Sequence, residues 1–460
     1  MKKWIAIFLC ICLVAGLAGC DTPEPETTER EATESTGTVP AEGPEREEFA
    51  GLEIYYLNEM FCTAGNIVSK YMMRYPEVAV NAVAFESIEE MDRQILADLS
   101  SGQEPDIILF TDKTTVDTTK LALNDMLLDL SDMLAEDSTF DPEAYYPVLD
   151  AGVIDGRQFL MPLRMRVMYM MTDENKFSDT LGLTEEYTLE ELLEALTENA
   201  AQCGAGQNAM YTMHSFDTYL YDLIRLTGTE VADVYSLRQS ISQDTLLEYA
   251  LFADVAYGQC LSAAQQMKED GVDNIGQVLI RNTAVLNNLS LPVNLRYYSD
   301  IYSKGLDEEL RLLTYPNLAD REVLTVDIPL YAAVLKSTED PYGAYEFVRL
   351  ALDNGFSNFN ENLPVSRMGV EGMLLTLGAN TGKMVSVGTR TVMIDGMSTE
   401  RQEECRALLE RVTGGSISNG SLMTIFKDTM NPFVAREADF ESCYQDFQSE
   451  LELYLNGLYE

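Results

Sequence analysis

The sequence predicts an α/β protein built as two lobes. Three observations carry that reading. A β-α-β-α-β pattern opens the folded part, helical periodicity dominates its middle and end, and about 410 residues follow the N-terminal tether. A chain of that length exceeds one compact core and suits two.

Each element has a local cause. Glu53–Leu57 reads as a strand, and Phe61–Tyr75 reads as a helix stopped by Pro76. Val78–Ala84 is a second strand. Ser87 with Glu90 forms a capping box, and Ile88, Met91, Ile95 and Leu99 follow at helical spacing. Ser101-Gly102 ends that helix and Asp106–Phe110 is a third strand, so the opening reads as a parallel sheet with right-handed crossovers. Thr188 and Glu191 make a second capping box before Leu189, Leu192, Leu193 and Leu196. Val323–Val334 is a long apolar strand interrupted by Pro329. Asp340-Pro341 opens a helix through Ala344, Phe347, Val348 and Ala351, closed at Gly355. Phe440, Cys443, Phe447, Leu451 and Tyr454 form the stripe of a last helix. No repeat of fixed period is present.

Ahead of this lies a leader. Met1-Lys2-Lys3 is a basic start, and Trp4–Ala18 is almost wholly apolar, the layout of a secretory signal peptide over residues 1–19. Fifteen helical residues reach roughly 22 Å, short of a ~30 Å hydrocarbon core. The segment ends Leu17-Ala18-Gly19-Cys20, which resembles the lipobox of bacterial lipoproteins. That resemblance implies lipidation of Cys20, and several acyl chains on one cysteine hold a protein at a membrane. Residues 21–48 hold ten acidic side chains, two arginines and no aromatic. They cannot bury enough apolar surface to fold, so residues 20–50 read as a lipidated cysteine and an acidic tether.

Charge and cysteine usage exclude several classes. With 31 Lys+Arg and 76 Asp+Glu the net charge is -45, and loss of Lys2 and Lys3 with the leader takes it to -47. Such a surface repels nucleic acid and anionic headgroups. Cys62, Cys203, Cys260, Cys405 and Cys443 lie at wide spacings without a CxxC. They read as small buried hydrophobes, with room for one disulfide but no framework.

The search for catalysis is thin. His214 is the only histidine, so HExxH and two-histidine metal sites are excluded, and no G-x-S-x-G elbow, Walker or dinucleotide glycine pattern occurs. No metal or cofactor is expected, and no enzyme. A carboxylate-dependent glycan hydrolase is the alternative, but a barrel of that kind needs about eight strand–helix units, and too few strands are present.

Five stretches, read in order, resemble the extracellular solute-binding proteins of ABC transporters, the maltose-binding type. They are QILADLSSGQEPDIILF (94–110), GRQFLMPLRMRVMYMMTDENKF (156–177), TLEELLEAL (188–196), IPLYAAVLKSTEDPYGAYEFVRLAL (328–352) with LPVSRMG (363–369), and FQSELELYLNGL (447–458). The resemblance implies the two-lobed, type II periplasmic-binding-protein-like fold, with lobes joined by crossing hinge segments. The first lobe is expected over 51–163 plus 284–326, and a second, more helical lobe over 164–283 plus 327–460. It also implies a monomer anchored outside the cell membrane. Such a protein closes on a small solute, a sugar or acidic sugar, and delivers it to ABC permease subunits. A membrane sensor fed by the same lobes is the other reading.

Candidate ligand residues follow from the matching motifs. Asn58 and Glu59 follow the first strand. Phe110, Thr111 and Asp112 end the third, at the sheet edge where α/β folds bind ligands. Phe110 is equally a core residue, and Asp112 equally a cap for the next helix. Arg164, Arg166 and Tyr169 lie on the first hinge crossing. Two arginines at i and i+2 share a strand face and can grip an acidic ligand, or pair with the abundant acids. Met165 and Met171 on one strand face, with Met168 and Met170 on the other, fit a strand buried on both sides. His214, Phe216 and Tyr219 form an aromatic cluster. Asn282 lies where the chain recrosses, and Tyr331 on the third crossing. Trp4, the only tryptophan, leaves with the leader, so ring stacking on a sugar falls to Tyr or Phe.

Overall fold

The computed structural model describes residues 51–58, 63–167, 169–173, 181–183, 187–202, 208–212, 216–258, 284–289, 310–314, 324–353, 362–379, 382–387 and 390–459. The leader, Cys20 and the tether lie outside these, as do Glu59, His214 and Asn282. Among the described residues, no helix is long and apolar enough to cross a membrane.

The chain opens with β1 (Leu52–Leu57), α1 (Thr63–Arg74), β2 (Val80–Phe85), α2 (Ile88–Ser101) and β3 (Ile107–Thr111). β1 pairs in parallel with both β2 and β3, as the alternation predicts. α2 starts where Ser87 accepts the Glu90 N–H, and stops at Gly102, whose φ of 68° is left-handed. α3 (Thr118–Leu123) and α4 (Ser131–Glu136) follow, then β4 (Leu160–Arg166). β4 joins the same sheet through β9 (Leu324–Val334), which runs antiparallel between β3 and β4. Pro329 cannot donate to a ladder. The register of β9 against β4 shifts on both sides of Leu330, so the proline sits in an irregularity rather than in a regular run.

The chain leaves this sheet at Arg166. β5 (Tyr169–Asp173) belongs to a second sheet, of order β8-β5-β7-β6, where β6 is Asn208–Thr212, β7 Ala284–Leu289 and β8 Leu310–Thr314. The methionine run is therefore not one strand: Met165 is buried in the first core, and Met170 and Met171 lie in the second sheet. Around the second sheet stand α5 (Leu189–Gln202), α6 (Tyr219–Leu226) and α7 (Gln243–Gly258). At α5 the capping box closes reciprocally. Glu191 N–H donates to Thr188 Oγ1 at 3.1 Å, and Thr188 N–H donates to Glu191 Oε2 at 2.9 Å.

Beyond β9 come α8 (Pro341–Asp353), β10 (Leu363–Pro364), α9 (Arg367–Ala379), β11 (Lys383–Val387), β12 (Arg390–Ile394), α10 (Thr399–Leu409) and β13 (Val412–Ser416). α11 (Gly420–Thr429) and α12 (Phe440–Asn456) close the chain.

Two apolar clusters result. The first gathers β1–β4, β9, α8, α9 and Cys405; the second gathers α5, α6, α7, α11, α12 and Cys443. This differs from the expected division in two places. Residues of 328–352 and 363–377 pack into the first cluster, because β9 is central to the first sheet. Strands 284–289 and 310–314 pair with β5, on the second side of the crossing.

Candidate functional site

Leu123 packs against both apolar clusters, and the other contacts between them include a chain of polar ones. Asp327 lies on β9 opposite Arg166, the last residue of β4, and its side chain is 0% exposed. Arg166 Nη2 donates to Asp327 Oδ2 and, at 2.6 Å, to Asp112 Oδ2 just past β3. From the second cluster, Arg225 on α6 places Nη1 2.8 Å from Asp327 Oδ1, an ion-pair contact without hydrogen-bond alignment. Arg225 is held in turn by Asp222, with Nε donating at 2.8 Å, and its Nη1 donates to the Ser416 carbonyl at 3.1 Å. Three carboxylates and two guanidiniums thus form one ladder, Asp112–Arg166–Asp327–Arg225–Asp222.

Burial sets the electrostatics. It pushes the Asp327 carboxyl up, but Arg225 and Arg166 outweigh it and hold the group below the usual carboxylate range. Asp112 goes the other way. Burial lifts it above the usual range, Arg166 opposes, and the Asp327 charge adds to the lift. Both guanidiniums are held charged beyond their ordinary range: burial works against the charge, and the Asp327 carboxylate overcomes it.

The polar seam continues past Arg225. The Arg225 guanidinium lies 5.9 Å from the centre of the Tyr221 ring, and the Tyr221 hydroxyl accepts the Asn419 N–H at 2.9 Å. Asn419 caps α11 through its Oδ1, 3.0 Å from Leu422 N. Its Nδ2 reaches Asp117 Oδ1 at 3.2 Å in the first cluster and the Tyr454 hydroxyl at 3.1 Å in the second. Asp117, not Asp112, caps α3, accepting Lys120 N–H at 2.9 Å. α11 starts with glycine for a reason of space. A Cβ on Gly420 would meet Thr115 Cα at 2.6 Å and the Thr114 carbonyl at 2.8 Å. Beside this contact opens a crevice of about 410 Å³. Thr115, Asp117 and Lys120 line it from one side, and Ser421, Thr424, Glu450 and Tyr454 from the other.

The candidates read from the sequence divide. Asp112 and Arg166 come together, in an ion pair. Arg164 does not join them: it is 1% exposed in the first core, and its Nη1 donates to the Leu163 carbonyl. Phe110 and Tyr331 are core residues at 0% exposure, with stacked rings 5.6 Å apart. Thr111 is half-buried, and Asn58 is exposed and donates to Glu86. Tyr219 is buried in the second cluster, while Phe216 is half-buried. Tyr169 opens β5, opposite Leu289 and Thr314. Asp327, Arg225, Asn419 and Asp117 were missed. A lone aspartate inside the apolar run LTVDIPLYAAV is the signal that Asp327 offered, because a charge in such a run is buried only with partners.

Comparison with known proteins now bears on this geometry. Residues 52–243 match the family model described as bacterial extracellular solute-binding protein. No curated protein matches the sequence. Among solved structures, the sugar-binding protein MalE of Xanthomonas citri is similar, with a TM-score of 0.62 at 13% identity, covering 88% of this chain and 98% of that one. An ABC substrate-binding protein of Listeria monocytogenes in complex with cycloalternan gives 0.57 at 11%, covering 88% and 98%. The GacH receptor of Streptomyces glaucescens, solved without ligand and with acarbose, gives 0.56 at 12%, covering 89% and 100%. The fold they share with this chain is the two-lobed type II fold expected from the sequence. With that fold, and with the family match across 52–243, the chain is similar to the bacterial extracellular solute-binding proteins.

Proposed function

We propose that this protein captures a small polar solute, a carbohydrate, and delivers it to an ABC import permease by closing its two lobes. The polar seam carries the reading. Besides Leu123, the two apolar cores meet through charges and hydrogen bonds, which water can replace when the cores part. A hinge of that kind opens without exposing a core, and a solute that touches both sides only when they are closed shifts the population toward closure. The carbohydrate class is supported by the sugar and oligosaccharide ligands named for similar folds. Because Asp112 and Asp327 already offset the Arg166 charge, the seam favours a neutral or basic solute over an acidic sugar.

In this proposal the first lobe comprises 51–167 and 324–417, and the second 168–323 and 418–460. Asn58, Thr111, Asp112 and Arg166 are proposed to contact the solute; Glu59, Tyr169, His214 and Asn282 remain candidates for the same role from the sequence. Cys20 carries the lipid that holds the chain outside the cell membrane, and residues 21–50 tether the lobes to it.

Titration calorimetry against neutral mono- and oligosaccharides and uronic acids tests the reading, with the sugar recovered and analysed afterwards. One neutral or basic sugar is expected to bind one-to-one and be recovered intact. At 100 times its dissociation constant it adds about 2.7 kcal/mol of stability. Conversion of the sugar, or no binding across the panel, would contradict the reading.

A further inference from the structure

We infer that Asp92, a buried carboxylate on α2, is a positioning residue for the meeting of the two lobes. The inference rests on the two-lobe receptor reading and adds a residue to it. Asp92 falls on the apolar stripe of its helix, four residues after Ile88 and three before Ile95, and is 5% exposed. A polar group buried on such a stripe needs partners. They come from the segment that follows β3. Thr114 Oγ1 donates to Asp92 Oδ1 at 2.7 Å, and the Thr115 N–H and Oγ1 donate to Oδ2 at 2.7 and 2.8 Å. Val116 N–H donates in turn to Thr114 Oγ1 at 3.2 Å. Topology explains the encounter. In a parallel β-α-β unit the start of the helix and the end of the next strand share one sheet edge.

The segment so held, residues 112–117, is the first lobe's side of three contacts at the seam. Asp112 pairs with Arg166, where the chain crosses. The Thr114–Thr115 backbone lies against Gly420 of α11, so close that a Cβ there would meet Thr115 Cα at 2.6 Å. Asp117 accepts Asn419 Nδ2 at 3.2 Å. Asp92 therefore acts on the second lobe through this segment. Charge-assisted bonds are about twice as strong as neutral ones, and three of them converge on two consecutive residues. A face held this way is ordered before the lobes close, so closure does not bear the cost of ordering it. Asp98 provides the contrast. It is buried on the same helix, but it accepts the Tyr55 hydroxyl of β1 at 2.9 Å, inside the first lobe.

Hydrogen exchange on the full chain, with no solute added, tests this in Asp92→Ala and Asp98→Ala. Asp92→Ala is expected to speed amide exchange about ten-fold in residues 112–117, and also across the seam in residues 419–424. Asp98→Ala should leave 419–424 within about two-fold of the wild type. A carboxylate that only stabilises the first lobe would move 419–424 no more than Asp98 does. Thr115 gives a second pair of variants, at an exposed position that tolerates both. Thr115→Val removes one donor and should speed exchange at 419–424 about three-fold, while Thr115→Ser keeps the hydroxyl and should match the wild type. Unchanged exchange at 419–424 in Asp92→Ala, or in Thr115→Val if Asp92→Ala does not fold, would overturn the inference. So would an equal increase in Asp98→Ala. No sugar enters the measurement, so a failed sugar screen counts against the receptor reading alone.

Discussion

Asp327 and Arg225 join the two apolar cores through one ion pair. Asp327 is fully buried on a strand of the first sheet, and Arg225 reaches it at 2.8 Å from a helix of the second cluster. Arg166 completes the arrangement from the strand that carries the chain across.

Removing one member of this ladder should cost far more than an exposed pair. Asp327→Ala leaves the buried Arg225 and the half-buried Arg166 guanidiniums without their shared carboxylate, and a buried pair broken from one side costs about 3–5 kcal/mol. The urea midpoint should fall accordingly. The control Arg367→Ala breaks the exposed Arg367–Glu410 pair and should shift stability by less than about 1 kcal/mol. Equal effects would contradict the ladder.

The two carboxylates of the ladder should respond to pH with opposite signs. Asp327 is held below its unfolded value, so its stabilisation is present above about pH 4 and is lost as the pH falls further. Asp112 is raised, so its charged form is penalised: the wild type loses stability relative to Asp112→Asn as pH rises from about 4. Urea titrations at several pH values, on the wild type, Asp112→Asn and Asp327→Asn, should show difference curves of opposite slope. Parallel curves would refute the assignment.

Close approach at Gly420 gives a steric prediction. Gly420→Ala places a Cβ 2.6 Å from Thr115 Cα, a backbone atom that cannot turn aside. The first turn of α11 must shift, at about 1–3 kcal/mol. Thermal unfolding measures it. Gly102→Ala, where nothing lies near the Cβ but φ is 68°, should cost less than that by the same scan.

Anchoring is tested by Cys20→Ala. The variant should appear in the soluble fraction while the wild type stays with the membrane. A variant that still sediments with membranes would rule out the lipid.

Local signals in the sequence carried the first sheet. Caps at Ser87 and Thr188, the stop at Gly102 and the β-α-β-α-β order are short-range chemistry, and they reappear as read. The place of β9 in the first sheet was not legible, because it pairs over more than 150 residues of separation, which periodicity does not encode. Arg166 was visible as an arginine in an apolar crossing; its partners were not, since Asp112, Asp327 and Arg225 meet only through the fold. Arg164 shows the cost of arguing from alternation alone. It sits two residues from Arg166, yet irregular pairing at Leu330 separates the environments of the two.

The most direct measurement of the central claim is small-angle scattering on the protein, free and saturated with the sugar that calorimetry selects. A decrease in the radius of gyration at one bound sugar per chain is predicted, as two lobes close over the seam. An unchanged radius with the sugar bound would contradict it.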